Sequence, residues 1–334
     1  MNNVHCTENS VVVKCPICSC TNSQLLFRAA SWESFARDQI YDIRYCHECH
    51  ITFTNPTESS ESLNKFYSQG LYRDTHNRFY MLIEGVQWIF QWSRLRKIKR
   101  ACKQGKLLDV GCGKGRFLAY AALNGWDVFG VEPSENSRSI ARSRLGDRVV
   151  GSLKELPPDR FDVIVLWHVL EHVLNPVEML RQLHQYMKPG GILCVAVPNF
   201  SSLQARLGKS RWSHLDVPRH VFHFTPETLK YVLESADYTV LHIDHFSVEF
   251  NPIGVLQTVL NCLGLEPGFI YAVVKRNASW GVATSKLRFL YSAIVATVGI
   301  PFLILPAFLF AYIESLFGKG GTILVYATPI ELEQ

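Results

Sequence analysis

The segment Leu107-Leu-Asp-Val-Gly-Cys-Gly-Lys-Gly115 constrains this chain more than any other stretch. An apolar run ending in an acid, three glycines at alternate positions and a helical pattern from about Arg116 to Asn124 read as strand, tight turn and helix. Glycine there lets backbone approach a ligand closely. The turn is not a dinucleotide fingerprint, because the sixth position counted from Gly111 is Arg116, where helix packing needs a glycine. It is not a P-loop either, since no Gly-Lys-Ser/Thr follows. A second acid, Glu132, stands 23 residues after Asp109 at the end of the next apolar run, 127–132. A carboxylate at that place takes both hydroxyls of a ribose.

The alternation continues. Glu135–Leu145, Asn175–Met187 and Thr225–Ala236 have helical spacing, the last with Thr225 as N-cap and Pro226 behind it. Phe161–Leu166, Ile192–Val197, Thr239–Phe250 and Gly321–Ala327 read as strands. Strands alternating with helices predict a parallel sheet covered on both faces. The 334 residues are 48% hydrophobic and 19% charged, which excludes a disordered or collagen-like chain. A net charge of +5 is too mild to imply nucleic acid by itself.

This pattern resembles the class I S-adenosylmethionine-dependent methyltransferases. Phe161-Asp-Val-Ile-Val-Leu-Trp-His-Val-Leu-Glu-His172 is similar to the family's fourth strand and following motif. Leu183–Met187 with Lys188-Pro-Gly-Gly-Ile-Leu193 is similar to its turn into the fifth strand. The resemblance covers about 106–250 plus 321–327. It implies an α/β fold with a Rossmann-like doubly wound sheet, and S-adenosyl-L-methionine as cofactor. Carried over by residue, it implies that Asp109, Gly111, Cys112 and Gly113 hold the methionine part and Glu132 the ribose. Ser152 and Leu153 would lie by the adenine, and Trp167 and His168 would border the methyl donor. Many relatives carry an acid where Ser152 stands, which leaves a weaker or purely backbone contact to the adenine.

Four of the ten cysteines form two pairs, Cys15-Pro-Ile-Cys18 and Cys46-His-Glu-Cys49, separated by 27 residues. Each pair is a knuckle presenting two thiolates to one tetrahedral ion, and four thiolates close the site, so a structural zinc is expected. Cys20 and His50 are near enough to substitute as ligands. Ten cysteines are too sparse for a disulfide scaffold at this length and imply a reducing compartment. Tyr41–Pro56 resembles the zinc ribbon that precedes many bacterial methyltransferases of saccharide and secondary-metabolite pathways. Asn64–Tyr72 resembles their lid helix, with Tyr67 and Tyr72 either facing substrate or packing.

Methyl transfer from a sulfonium needs an aligned nucleophile and, for a hydroxyl or acidic carbon, a base. The segment from Trp212 to Thr225 is dense in histidine. Arg219-His220 occupies the place where zinc-ribbon sugar C-methyltransferases carry Glu-His, so the resemblance implies His220 as general base. Arg219 would orient it or an anionic substrate group, and His223, His214 and Asp216 are second choices. Glu171-His172 resembles a carboxylate–histidine pair that binds a divalent ion in quinone-type O-methyltransferases; a hydrogen-bonded pair at a helix start is the competing reading.

Phe289–Ile313 is 25 residues without a charge. As a helix it would run about 37 Å, longer than a ~30 Å hydrocarbon core. Pro301 and Pro306 argue against one straight span and for a bent hairpin dipping into the cytoplasmic leaflet, flanked by Lys275, Arg276, Lys286, Arg288 and Lys319. A buried homodimer interface is the rival reading. The chain start, Met1–Cys6, has neither basic nor apolar leader character, so the expected place is the cytoplasm, at the cytoplasmic face of the inner membrane.

The expected organisation is a zinc ribbon at 1–56, a helical lid or linker at 57–105 and a methyltransferase domain at 106–250. An apolar, membrane-contacting helical insertion follows at 251–320, and 321–334 supplies the last strand of the sheet and a tail. The expected substrate is a lipid-linked, saccharide or lipophilic small molecule. An rRNA methyltransferase is the alternative, but the ribbon holds four basic residues (Lys14, Arg28, Arg37, Arg44) against five acidic ones (Glu8, Glu33, Asp38, Asp42, Glu48). Nucleic acid is therefore not the expected partner. A catalytically silent zinc or membrane scaffold is the alternative from outside enzymology.

Overall fold

The structure, a computed structural model, describes residues 13–32, 38–59, 61–62, 80–158, 160–265, 269 and 286–330. The segment Asn64–Tyr72, with Tyr67 and Tyr72, lies outside them, as do Lys275 and Arg276.

The β-branched and aliphatic runs form strands, and their period-2 alternation divides the interior in two. The larger sheet contains β4 (Lys106–Val110), β5 (Asp127–Val131), β6 (Val149–Val150), β7 (Phe161–Trp167), β8 (Met187–Pro198), β10 (Tyr238–Asp244) and β11 (Thr322–Pro329). Its order is β10-β11-β8-β7-β4-β5-β6, with β11 antiparallel to both neighbours and the other neighbouring strands parallel. One core gathers Leu108, Val110, Ile164, Leu166, Val195 and Ile323. The other gathers their sequence neighbours Leu107, Val163, Val165, Cys194 and Leu324. Successive residues of a strand point to opposite faces, so a doubly covered sheet needs this unbroken apolar run.

Helices α1 (Tyr80–Ala101), α2 (Arg116–Leu123) and α3 (Glu135–Leu145) flank the early strands, and α1 and α2 pack through Leu95, Ile98, Phe117 and Leu118. On the opposite face lie α4 (Pro176–His184) and α6 (Pro226–Glu234). The expected N-cap of α6 is present and closes a capping box with Thr228. Helix α4 stops at His184, three residues earlier than its pattern suggested, because Met187 already pairs with Phe161. The strand expected over 239–250 stops at Asp244, and the following residues turn across the top of the sheet.

A second sheet, β1 (Ser23–Ala30), β2 (Ile40–Cys46) and β3 (Thr52–Asn55), carries the cysteine knuckles. Its fourth strand comes from far along the chain: β9 (Phe222–His223) pairs antiparallel with β3.

Between β10 and β11 the chain leaves the sheet as α7 (Asn251–Cys262) and returns as α8 (Lys286–Leu316). The expected break at the prolines does not occur, since α8 runs helical through both Pro301 and Pro306. Proline kinks a helix without always ending it, and Ala296, Ala307 and Ala311 stay buried on both sides of the pair. The remaining helix, α5 (Leu203–Gly208), follows β8.

Gly111 has φ +78°, and a Cβ there would meet the Cγ2 of Val169 at 2.6 Å. A side chain pays both for the left-handed backbone and for the collision. Gly111→Ala is therefore expected to lower unfolding free energy by about 2–3 kcal/mol in urea melts.

Candidate active site

The site lies at the carboxyl ends of β4, β5 and β7, where the strand order reverses and α/β sheets open a crevice. Asp109 is buried there, and its Oδ1 has no hydrogen-bond partner among the described residues. Burial pushes its carboxyl up to about 8, opposed by Arg94 and reinforced by Glu132. Glu132 follows β5 and accepts the N–H groups of Gly113 and Ser134, each at 2.8 Å. Burial raises its pKa, and those two backbone bonds oppose the rise. Trp167 Nε1 and His168 Nε2 are likewise buried without partners. Orphaned polar atoms at three places around one crevice fit a polar ligand, since native interiors rarely leave such groups unpaired.

Of the other residues expected at the cofactor, Gly113 lines the turn with φ +55°. Cys112 gives its N–H to Val131 O, but its side chain packs into the core between α2 and β5. Ser152 and Leu153 sit just past β6, and the Ser152 hydroxyl donates to Glu155 at 2.9 Å. Glu155, an acid three residues after Ser152, thus stands against its hydroxyl, which sequence reading did not anticipate. Arg94 is another residue it did not single out. Its guanidinium lies 5.1 Å from the Trp167 ring centroid and pairs with Glu249 at 2.7 Å. Lys97, one turn on, pairs with Asp244 at 2.7 Å, so this face of α1 turns inward.

The histidine-rich segment closes over the same end of the sheet. His220 is buried, and its Nδ1–H donates to the His214 carbonyl at 2.8 Å. A carbonyl only accepts, so the neutral ring carries its lone pair on Nε2. That nitrogen lies 3.8 Å from Asp216 Oδ2 and 4.0 Å from Glu171 Oε1. Burial holds the His220 pKa well below the ordinary histidine value, helped by His172. Arg219 is also buried, and its guanidinium grips Asp216 through Nε at 3.1 Å and Nη2 at 2.5 Å. It therefore reaches His220 through Asp216. Asp216 and His168 both have positive φ, at 40° and 54°. Strained backbone of this kind concentrates at functional sites.

Glu171 is fully buried, and neither of its oxygens has a hydrogen-bond partner among the described residues. Burial pushes its carboxyl up to about 7, with His172 opposing. Its nearest cation candidate is His168 Nδ1 at 3.2 Å, although burial holds His168 down to about 3. His172 gives Nδ1–H to the Arg219 carbonyl, and its ring lies 4.7 Å from that of His220. Glu171, His172 and His220 bring ligand atoms within 4.8 Å of one another. His223, three residues on in β9, is not one of those three ligands, and Thr54 engages its Nε2.

In the second sheet, Cys15, Cys18, Cys46 and Cys49 converge, with sulfur–sulfur distances of 3.6 Å for Cys15–Cys49 and 3.5 Å for Cys18–Cys46. Four ligands at 2.3 Å around a tetrahedral ion stand ~3.8 Å apart, so the cluster fits zinc. Contact with Cys49 pushes the Cys15 thiol down to about 5 and raises that of Cys49. Cys20 takes the N–H of Asn22 and His50 meets the Tyr45 hydroxyl, and neither is among the four converging ligands.

Comparison with known proteins finds methyltransferases. The model of the methyltransferase-domain family matches residues 75–243, half of the chain. A ubiquinone biosynthesis O-methyltransferase of Pseudomonas syringae is 35% identical over 95 residues, 26% of this chain and 41% of that protein. Another, from Sinorhizobium fredii, is 29% identical over 178 residues, 49% of this chain and 71% of that protein. The chain thus spans about half the length of the curated relatives it matches first. A solved SAM-dependent methyltransferase from Archaeoglobus fulgidus, 19% identical, covers 75% of this chain and 99% of its own with a TM-score of 0.44. With its sheet order, glycine turn and paired acids explained by one family whose match covers half its length, the chain belongs to the methyltransferase-domain family.

Proposed function

We propose that the protein is an S-adenosylmethionine-dependent methyltransferase that works at a membrane surface on a lipophilic or lipid-linked small molecule. The observation that carries the enzymatic reading is the trio of orphaned atoms, Asp109 Oδ1, Trp167 Nε1 and His168 Nε2, around the glycine turn. Asp109 and the turn would hold the methionine part of the cofactor, Glu132 the ribose, and Glu155 with Ser152 the adenine side. Arg94 suits the cofactor's carboxylate once Glu249 releases it. The cofactor supplies an electrophilic methyl group on a sulfonium.

His220 is the proposed base. Its Nε2 lone pair takes the acceptor's proton, and Asp216 and Glu171 steady the imidazolium that forms. A second reading has Glu171, His172 and His220 hold a divalent cation that acidifies the acceptor; the buried Glu171 oxygens, without a hydrogen-bond partner among the described residues, favour it. Activity lost in chelator and restored by Mg²⁺ would select that reading.

The membrane part rests on α8. The most buried apolar residues on its side toward α7 are small (Ala296, Ala307, Ala311), with Ile300, Leu303 and Phe310 partly buried beside them, while Phe302, Leu305 and Leu309 point outward. Small inside and large outside is the pattern of helices that face lipid. The relatives' role in ubiquinone biosynthesis, whose product is a lipid, supports a lipophilic acceptor and an oxygen as the methylated atom.

Isothermal titration of S-adenosylmethionine and S-adenosylhomocysteine into detergent-purified protein tests the enzymatic reading. Micromolar binding, weakened roughly ten-fold or more in Asp109→Ala and Glu132→Ala, is expected. No binding by a folded, metal-loaded protein would sink it.

A further inference from the structure

The cysteine sheet is joined to the catalytic segment by backbone. Strand β3 pairs with β9, Thr52 opposite His223 and Phe53 opposite Phe222. Thr54, one residue beyond, is almost wholly buried and makes three hydrogen bonds into residues 220–223. Its N–H donates to the Val221 carbonyl at 2.9 Å. Its hydroxyl donates to the His220 carbonyl at 2.7 Å and meets His223 Nε2 at 3.0 Å. A hydroxyl has one proton, and here the His220 carbonyl takes it, so His223 must be the donor and carry its proton on Nε2. From the other side, the Val221 N–H donates to the Glu171 carbonyl at 2.8 Å. The peptide following His220 is thus clamped between the cysteine sheet and the loop after β7. The cysteine sheet's other apolar residues reinforce the clamp, since Tyr41 and Ile43 pack with Trp212, Leu215 and Val217 upstream of His220.

We propose that Thr54 is a positioning residue for His220, and that the cysteine ribbon is thereby a wall of the catalytic site and no detachable accessory. Thr54 fixes the backbone on which His220 stands and the tautomer of His223 beside it. This rests on His220 being the base, as argued above. A merely structural threonine would contribute packing, which valine reproduces; a positioning hydroxyl is reproduced only by serine.

The test is nitrogen NMR of the imidazole rings in full-length, zinc-loaded protein labelled with ¹⁵N-histidine, with S-adenosylhomocysteine binding measured alongside. In the wild type, His223 is expected as the Nε2–H tautomer and His220 as Nδ1–H. Thr54→Val is expected to move the His223 ring signals to the other tautomer and shift those of His220, with S-adenosylhomocysteine affinity kept within about two-fold, a change worth less than 0.5 kcal/mol. Thr54→Ser is expected to restore the wild-type pattern. An Nδ1–H His223 in the wild type, or ring signals unmoved in Thr54→Val, overturns the proposal. If Thr54→Val does not fold, the wild-type tautomer and the Thr54→Ser spectrum still decide. Loss of S-adenosylhomocysteine binding by the wild type would instead strike the enzymatic reading and leave the tautomer result standing.

Discussion

Cys46→Ser is expected to strip one zinc ion per chain and to lower the melting temperature on the order of 10 °C. Cys46 is fully buried within the same apolar cluster as Ile51, Phe53, Val221 and Phe222. A structural zinc contributes about 10–16 kcal/mol to the folding of small modules, and three thiolates hold it far less well than four. The damage spreads because β3 and β9 share one sheet: a loosened ribbon releases the strand that supports His220. Metal analysis of purified wild type and variant, paired with thermal melts, checks both parts. Wild-type protein that holds no metal, and melts as Cys46→Ser does, would rule out the zinc assignment.

The second large effect is expected at the membrane. Phe302, Leu305 and Leu309 are 76%, 77% and 61% exposed. Water-facing side chains of this size on one helix make an apolar patch that soluble monomers rarely leave open. In lipid, each contributes about 1.5–3 kcal/mol of transfer, and each glutamate put in its place adds an unfavourable charge. The triple variant Phe302→Glu, Leu305→Glu, Leu309→Glu is therefore expected to lose vesicle binding by roughly 10³-fold or more. Flotation with phosphatidylethanolamine and phosphatidylglycerol vesicles measures it. Because the three side chains point away from the fold, S-adenosylhomocysteine binding should survive. Wild-type protein that stays monodisperse without detergent and does not float removes the membrane reading.

The geometry of the insertion sharpens this expectation. Strands β10 and β11 are antiparallel neighbours, so α7 departs from and α8 returns to the same end of the sheet. Helix α8, with 31 residues, spans about 46 Å, and α7, with 12, about 18 Å. The insertion is anchored at its root by polar contacts. Asn251 reaches Thr322 N at 3.0 Å, and Gln204 donates to Glu314 at 2.6 Å. The first bond ties α7 to β11, and the second ties α8 to α5, which precedes the histidine segment in the chain.

The sequence by itself determined the parts whose signal is local. Asp109, the alternating glycines and Glu132 fall where their spacing puts them, because a strand–turn–helix leaves little freedom to its backbone. Each CxxC knuckle presents paired sulfurs for the same reason, being a tight turn, while the pairing of β1 with β2 brings the two knuckles together. The apolar excess of 289–313 likewise announced a surface that water would not favour, although its prolines suggested a break that the packing on α7 overrides.

Only the tertiary structure decided what the site is made of around that frame. Thr54 and His220 are 166 residues apart, and nothing periodic links a threonine in a short strand to a distant histidine. Arg94 and Lys97 gain their partners only when Glu249 and Asp244 arrive opposite them from far along the chain. Cys112 sits within the glycine turn, yet its side chain turns into the core, because Gly130 on β5 leaves room there. Local spacing fixes backbone shape; partners, burial and the place of a proton depend on which distant segments the fold brings into contact.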